Sequence, residues 1–356
     1  MSLGLASAAL LAASGLHLGA DLSFTNEMEA CGAHFRENGK SADPFALLKA
    51  HGGNIVRVRL WNAPATPYSA YADVLKTITR AHAAGLDVLL DFHYSDDWAD
   101  GDKQIPPAAW AELSTDAQVQ ALHDYTAVIL DRLAAAGQLP QFVQVGNETN
   151  PEMLGGRKGG KIDWARNARL INAGVAAVRA AAKAHGQPIR VMLHIAQPEN
   201  VIGWFDEATA AGVMDYDIIG ISYYAKWSRY NLSGLGKVID AAHRRYGADV
   251  WVVETAYPFT TAAADDTTNL LGADSAIPGY PVSPEGQARY LEDLTRVVVA
   301  NGGTGVVYWA PDWVSTGCKT RWGTGSSWEN AAWFDIAHHE ALPALRFLGE
   351  DYGAKK

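Results

Sequence analysis

Apolar runs recur along this chain at a spacing that defines its architecture. Eight strand-like segments stand out: LHLGADLSF (16–24), NIVRVRLW (54–61), DVLLDFHY (87–94), QFVQVGNE (141–148), IRVMLHIA (189–196), YDIIGISYY (216–224), VWVVETAY (250–257) and GTGVVYWAP (303–311). Between them lie Ala-rich stretches of helical period, such as ALHDYTAVILDRLAAAG and ARLINAGVAAVRAAAKAHG. Gly85, Gly137 and Gly186 stand where helix C-termini are expected. Near-continuous apolar strands alternating with helices predict a parallel sheet covered by helices. Eight such units in 356 residues predict a single (β/α)8 TIM barrel. No GxGxxG follows the first strand, so a dinucleotide-binding doubly wound sheet lacks its main support.

The longest connections follow strands 3, 7 and 8, all on the face where barrels carry their sites, and loops of this length in a compact fold are usually functional. The start, MSLGLASAALLAASGLHLG, has the small apolar character of a secretory leader without a basic n-region, against the plainer reading of a short N-terminal helix. Residues 1–15 are expected to be a leader remnant and 16–356 the barrel, which predicts an exported protein. No later run is long enough for a membrane span. A net charge of −10 and the absence of a Lys/Arg-rich run argue against nucleic acid. Twelve Trp and fourteen Tyr are many for this length; most are expected in the core, but flat rings with polar edges also suit sugars.

The strand ends carry the chemistry. Strand 4 delivers Asn147 and Glu148, and strand 7 delivers Glu254. Two carboxyls from different strands on one face are the minimum equipment for cleaving a glycosidic bond, one protonated and one ionised. Arg57 and Arg59 alternate with valine in strand 2, so an arginine must face inward; once buried it needs an anion, for which Glu254 is a candidate. His93 ends strand 3 beside a polar loop, Trp309 ends strand 8, and Tyr223 and Tyr224 end strand 6, where spacing alone does not separate the site residue from the packing one.

GADLSF, RVRLWNAP, LLDFHYSDDWAD, QVGNETNPEML, ISYYAKW, VVETAYPFT and YWAPDWVSTGCKTRWGTGSSWENAAWFD together resemble glycoside hydrolase family 53, the arabinogalactan endo-β-1,4-galactanases, from about Gly19 to Asp335. The resemblance implies a retaining endo-hydrolase acting on β-1,4-galactan, the side chains of pectin, and on galacto-oligosaccharides. It implies Glu148 as acid/base, Glu254 as nucleophile and Asn147 as the partner of the sugar 2-hydroxyl. Arg57, His93 and a strand-6 tyrosine would form the polar shell, and Trp309 the platform. Trp61, Trp98, Trp227, Trp313 and Trp322 lie on or just past strand ends as sugar platforms or as loop packing. Asp96, Asp97 and Asp312 are further candidates for binding galactose hydroxyls.

Two features depart from the family. Many relatives carry Leu-Trp-Pro in the loop after strand 4, where this chain reads MLGGRKGGKIDW. Some bacterial relatives bind calcium after strand 7; here Asp265-Asp266, Thr267, Thr268 and Asn269 lack the spaced Asp-x-Asp series that wraps an ion. No cofactor is expected for the chemistry, and a monomer is expected. Cys31 and Cys318 follow strands 1 and 8, which become neighbours if the barrel closes; a disulfide and two free thiols both remain open. The other readings are a clan-related endo-glycanase on mannan, xylan or glucan, and a non-catalytic sugar-binding barrel. A barrel for phosphorylated metabolites would want a Gly-rich nest after strands 7 and 8, where this chain is aromatic and acidic.

Overall fold

The computed structural model describes residues 15–157, 161–320 and 323–353. Eight parallel strands close into a barrel: β1 (His17–Asp21), β2 (Ile55–Leu60), β3 (Asp87–Phe92), β4 (Phe142–Val145), β5 (Arg190–Ala196), β6 (Ile218–Ser222), β7 (Asp249–Glu254) and β8 (Gly305–Trp309). Each pairs with its sequence neighbours, and β1 closes on β8 with Asp21 beside Trp309. Helices return the chain between strands, the longest over Thr115–Ala135 and Trp164–His185. Polar caps set their starts: the side chains of Asp43, Ser114, Asp163, Asn231 and Ser283 each accept a first-turn N–H. No helix among the described residues is long and apolar enough to cross a membrane.

The barrel interior is built in two layers. Alternation along each strand aims every second side chain inward. The lower layer is apolar: Ile55, Leu89, Phe142, Met192, Ile218, Trp251, Val253 and Val307 pack together. Trp251 fits there because Gly305 faces it; an added Cβ would come within 2.4 Å of the indole. One inward position further along, the same strands present Arg57, Asp91, Gln144 and His194, and β6 presents Ser222 one inward position beyond Gly220, all of them buried. The fold thus seals the barrel's floor with hydrocarbon and reserves its C-terminal mouth for polar groups.

Cys31 and Cys318 form a disulfide across the mouth, with Cα atoms 5.4 Å apart and a sequence separation of 287. It joins the loop after β1 to the loop after β8. Residues 1–14 and Trp322 lie outside the described residues.

Candidate active site

Local geometry, more than strand periodicity, aims the two glutamates. After β4, Gly146 takes φ 85° and Glu148 φ 44°, a left-handed turn that brings Asn147 and Glu148 over the barrel axis. A Cβ on residue 146 would lie 2.6 Å from the Thr149 methyl and would suffer the positive φ as well, which explains the glycine. Glu148 bears strain that its neighbours hold in place. Gln104 Nε2 donates to the carbonyls of Asn147 (2.8 Å) and Glu148 (3.3 Å), and Thr149 N–H donates to His194 O at 2.9 Å. On β7 strict alternation would send Glu254 outward, because Trp251 and Val253 already face in. The ladder slips between β6 and β7, pairing Ile221 with Val252 but Ser222 with Glu254, and this bulge turns the carboxyl into the site.

One oxygen of Glu148 and one of Glu254 come within 4.8 Å of each other. That fits the about 5–5.5 Å of retaining glycosidases and not the about 6.5–9.5 Å that inverting enzymes need for a water. Arg57 binds the whole floor of the site. Its Nη1 lies 2.8 Å from Glu254 Oε1 and 2.9 Å from Asp21 Oδ2. Its Nη2 lies 2.8 Å from Asp91 Oδ2 and donates to Asn147 Oδ1 at 2.7 Å, and Nε donates to Gln144 Oε1 at 3.1 Å. A buried guanidinium with every edge paired is a fixed positive charge. Burial alone would lower its pKa, and Asp91, Glu254 and Asp21 together raise it above its usual value.

Burial raises both catalytic candidates. For Glu148 the Ser222 hydroxyl and the Gly101 N–H oppose it; for Glu254 Arg57 opposes it while Glu148, Asp91 and Asp21 reinforce it, and Glu254 is lifted to about 8. Carboxyls this close titrate as a pair, so one proton stays in the site up to about that pH. The donors decide where it rests. Glu254 receives the Arg57 cation on one oxygen and the Tyr224 hydroxyl on the other at 3.0 Å. Among the described residues Glu148 receives only neutral donors, Ser222 Oγ at 2.6 Å and Gly101 N–H at 3.0 Å. A contacting cation outweighs neutral dipoles, which puts the charge on Glu254 and the proton on Glu148. His194 also approaches both carboxyls, with both its nitrogens already within hydrogen-bond distance of other side chains and Glu254 paired with Arg57.

The carboxyls open onto a cleft of about 770 Å³ lined by Trp98, Trp227, Trp309 and Trp328, together with Asn147, Asn150, Gln197, Asn200, Tyr224 and the Asp100–Lys103 loop. That loop is held by a two-residue ladder, Lys103–Gln104 against Gly156–Arg157, which joins the connections after β3 and β4. Trp309 stands edge-on to Trp328, with ring centroids 4.7 Å apart. Trp227 is exposed at the rim.

Several expected site residues sit elsewhere. Tyr224 shares the inward parity of Ser222, whereas Tyr223 points outward and donates to Tyr230 O at 3.0 Å. Arg59, two residues beyond Arg57 on the same strand face, is held between the rings of Phe24 and Trp98 at 4.1 and 4.4 Å. His93 is buried behind the cleft surface; its Nε2 lies 3.0 Å from Asp91, and its Nδ1 accepts from Trp61 Nε1 and Ala99 N. Trp61 and Trp313 pack under the loops, Trp61 edge-on to Trp98 and Trp313 stacked on Phe24.

The three extra aspartates are corrected in the same way. Asp96 ties loops together by accepting from Ala63 N and Ala108 N, and Asp97 accepts from Trp98 N. Asp312 is fully buried and accepts from Thr25 Oγ1 at 2.6 Å. Among the described residues, none of these three lines the cleft. After β7, Asp265 accepts from Ser315 Oγ, Ser326 N and Thr267 N, Asn269 donates to Glu329, and Asp266 is exposed. Sequence reasoning missed Trp328, Gln104, His194 and Ser222. The last two were legible as polar residues at the inward parity of β5 and β6.

Comparison with known proteins places this geometry. The model of glycosyl hydrolase family 53 matches residues 17–348. The chain is 51% identical to an arabinogalactan endo-β-1,4-galactanase of Cellvibrio japonicus (strain Ueda107), over 95% of this chain and 92% of that protein. It is 38% identical to an endo-β-1,4-galactanase of Bacillus subtilis (strain 168), over 88% of this chain and 76% of that one. Among solved structures it superposes on the Ignisphaera aggregans GH53 catalytic domain with a TM-score of 0.85 at 30% identity, covering 96% of this chain and 97% of that one. This chain belongs to glycosyl hydrolase family 53.

Proposed function

We propose that this protein is a retaining endo-β-1,4-galactanase that cleaves internal bonds of β-1,4-galactan and arabinogalactan side chains by double displacement. The observation that carries the reading is the pair of carboxyls within 4.8 Å, one just after β4 and one at the end of β7 against Arg57, in an open tryptophan-lined cleft. The 51% identity to the Cellvibrio galactanase, over nearly all of both chains, supports the substrate.

Glu254 Oε attacks the anomeric carbon while Glu148 gives its proton to the departing glycosidic oxygen. The bond from carbon to that oxygen breaks as the bond to Glu254 forms, with inversion. Esterification cancels the charge of Glu254, and the environment of Glu148 then favours its ionised form. Glu148 takes a proton from water, the water oxygen attacks the same carbon, and Glu254 leaves. Two inversions retain the β configuration. Arg57 and the Tyr224 hydroxyl hold Glu254 in attack position and stabilise its charge again as it departs. Asn147 lies beside the pair to meet the sugar 2-hydroxyl, and Trp98, Trp227 and Trp309 offer rings along the chain, with Trp328 buried behind Trp309.

The reaction is assigned to side chains alone, so treatment with EDTA should leave the rate unchanged. Export is proposed as well, supported by the apolar N-terminus and by a disulfide suited to an oxidising compartment. A monomer suffices, since one chain supplies the whole cleft. The test is reducing-sugar release from linear β-1,4-galactan, with mannan, xylan and a β-glucan in parallel. Mixed galacto-oligosaccharides from galactan alone are expected; activity confined to another glycan would overturn the substrate.

A further inference from the structure

Behind Glu148 lies a set of hydrogen bonds that the double displacement does not use. Glu148 Oε1 accepts from Ser222 Oγ at 2.6 Å, and Ser222 Oγ lies 2.8 Å from His194 Nε2. On the far side of the ring, His194 Nδ1 is approached by the backbone N–H of Glu148 at 3.3 Å and by Gln144 Nε2 at 3.0 Å. Asn147 Oδ1 is also near Nδ1, at 2.9 Å, but it already accepts from Arg57 Nη2 at 2.7 Å.

These contacts fix the tautomer. The Glu148 backbone N–H can only donate, and Asn147 Oδ1 already accepts from Arg57 Nη2 at 2.7 Å and from Gln144 Nε2 at 3.2 Å, so it has no lone pair left for an Nδ1–H. Nδ1 is therefore the acceptor, and the imidazole proton sits on Nε2. Burial and the Arg57 charge hold His194 well below its usual pKa, so the ring stays neutral. With Nε2–H aimed at Ser222 Oγ, the serine oxygen accepts from the ring and its own hydrogen points at Glu148.

We propose that His194 and Ser222 form a one-way donor chain, His194 Nε2–H to Ser222 Oγ–H to Glu148 Oε1, which favours the carboxylate form of the acid/base and sets the pH at which it gives up its proton. This rests on the reading of Glu148 as the acid/base. The chain completes a logic the site otherwise lacks. Burial holds the proton on Glu148 for the first step, and a preorganised donor pair awaits the anion that this step creates. Donors in series polarise one another, so the serine donates more strongly with the histidine behind it.

The other charged and titratable groups facing Glu148 act in both directions. Asp100, from the loop after β3, raises it, and Arg57 on β2 lowers it. Glu254 on β7 and Tyr224 after β6 interact with its charge, and Asp102 and Lys103 line the cleft beside it. None of these depends on Ser222, so the chain can be tested separately.

The test is the pH profile of kcat/KM on soluble galactan for Ser222→Ala, Ser222→Thr and His194→Leu, with thermal melting to check the fold. The alkaline limb requires Glu148 protonated. Removing a donor to the carboxylate keeps the proton to higher pH, so Ser222→Ala should move that limb up by about one pH unit, the size of one hydrogen bond to a charged group. His194→Leu should move it the same way by less, and Ser222→Thr, which keeps the hydroxyl, should restore the wild-type limb. A rate that falls evenly at all pH values, with the limb unmoved in either Ser222→Ala or His194→Leu, overturns the chain. Glu148→Ala is the separate control for the underlying reading. If it loses activity equally on galactan and on an aryl galactoside with a good leaving group, the acid/base assignment itself fails.

Discussion

The two interior layers of the barrel occupy the same strands, two residues apart, and do opposite work. Leu89 and Asp91 are neighbours on one face of β3, as are Phe142 and Gln144 on β4 and Ile55 and Arg57 on β2. All six are buried, so burial alone does not distinguish core from site. The lower layer packs aliphatic chains and rings, with Trp251 stacked on His17 and donating to Thr304 Oγ1, and contributes stability in proportion to the volume it fills. The upper layer holds Arg57 against three carboxylates, an arrangement weak as a source of stability but strong as a means of fixing charge.

That contrast can be broken most sharply at the glutamates. Glu254→Gln should abolish turnover on every substrate while keeping the fold. Glu148→Ala should cost about 10²–10⁴-fold on galactan, the range of a general acid, and far less on the first step of aryl galactosides. Steady-state and burst kinetics on both substrates separate the two roles.

Next in size, Leu89→Ala in the lower layer should lose about 2–5 kcal/mol by denaturant unfolding, with kcat/KM at 25 °C nearly unchanged. A comparable loss of kcat/KM in the folded variant would mean that the layers are coupled. The adjacent tyrosines just after β6 offer a finer comparison. Tyr224→Phe removes a donor to Glu254 and should lower kcat by roughly tenfold, the equivalent of one hydrogen bond to a charged group. Tyr223→Phe removes a bond to Tyr230 O and should cost only about 1 kcal/mol of stability.

The smallest effect expected is at Asp312, whose Oδ1 is buried without a partner among the described residues. Burial, reinforced by Asp21, raises its pKa to about 7. A carboxyl raised on folding contributes stability below its unfolded value of about 3.9, and that contribution is lost as pH rises toward 7. Asp312→Asn should therefore raise Tm by a few degrees at pH 8 and leave it nearly unchanged at pH 4.

Much of this was readable from the chain. All eight strands fall where the apolar runs place them, because parallel strands covered on both sides must be apolar throughout. The ends of the fourth and seventh runs delivered both glutamates. What the pattern does not contain is local backbone geometry. The β6–β7 bulge that turns Glu254 inward has no signature in VWVVE, and only Gly146 hints at the turn that aims Glu148. Asp96 and Asp312 misled for a related reason: a carboxylate beside a strand end can meet a loop amide as readily as a sugar. His194 and Ser222 went unread because each stands alone in an apolar run, and only closure of the barrel brings them to Glu148.

Retention requires two carboxyls close enough for one to attack carbon directly. Proton NMR of galactan hydrolysis, recorded before mutarotation, tests this at the new reducing ends. The account predicts that they appear first as the β anomer, with α-galactose signals growing in later. Reducing ends released first as the α anomer would contradict it, and with it the assignment of Glu254 as nucleophile.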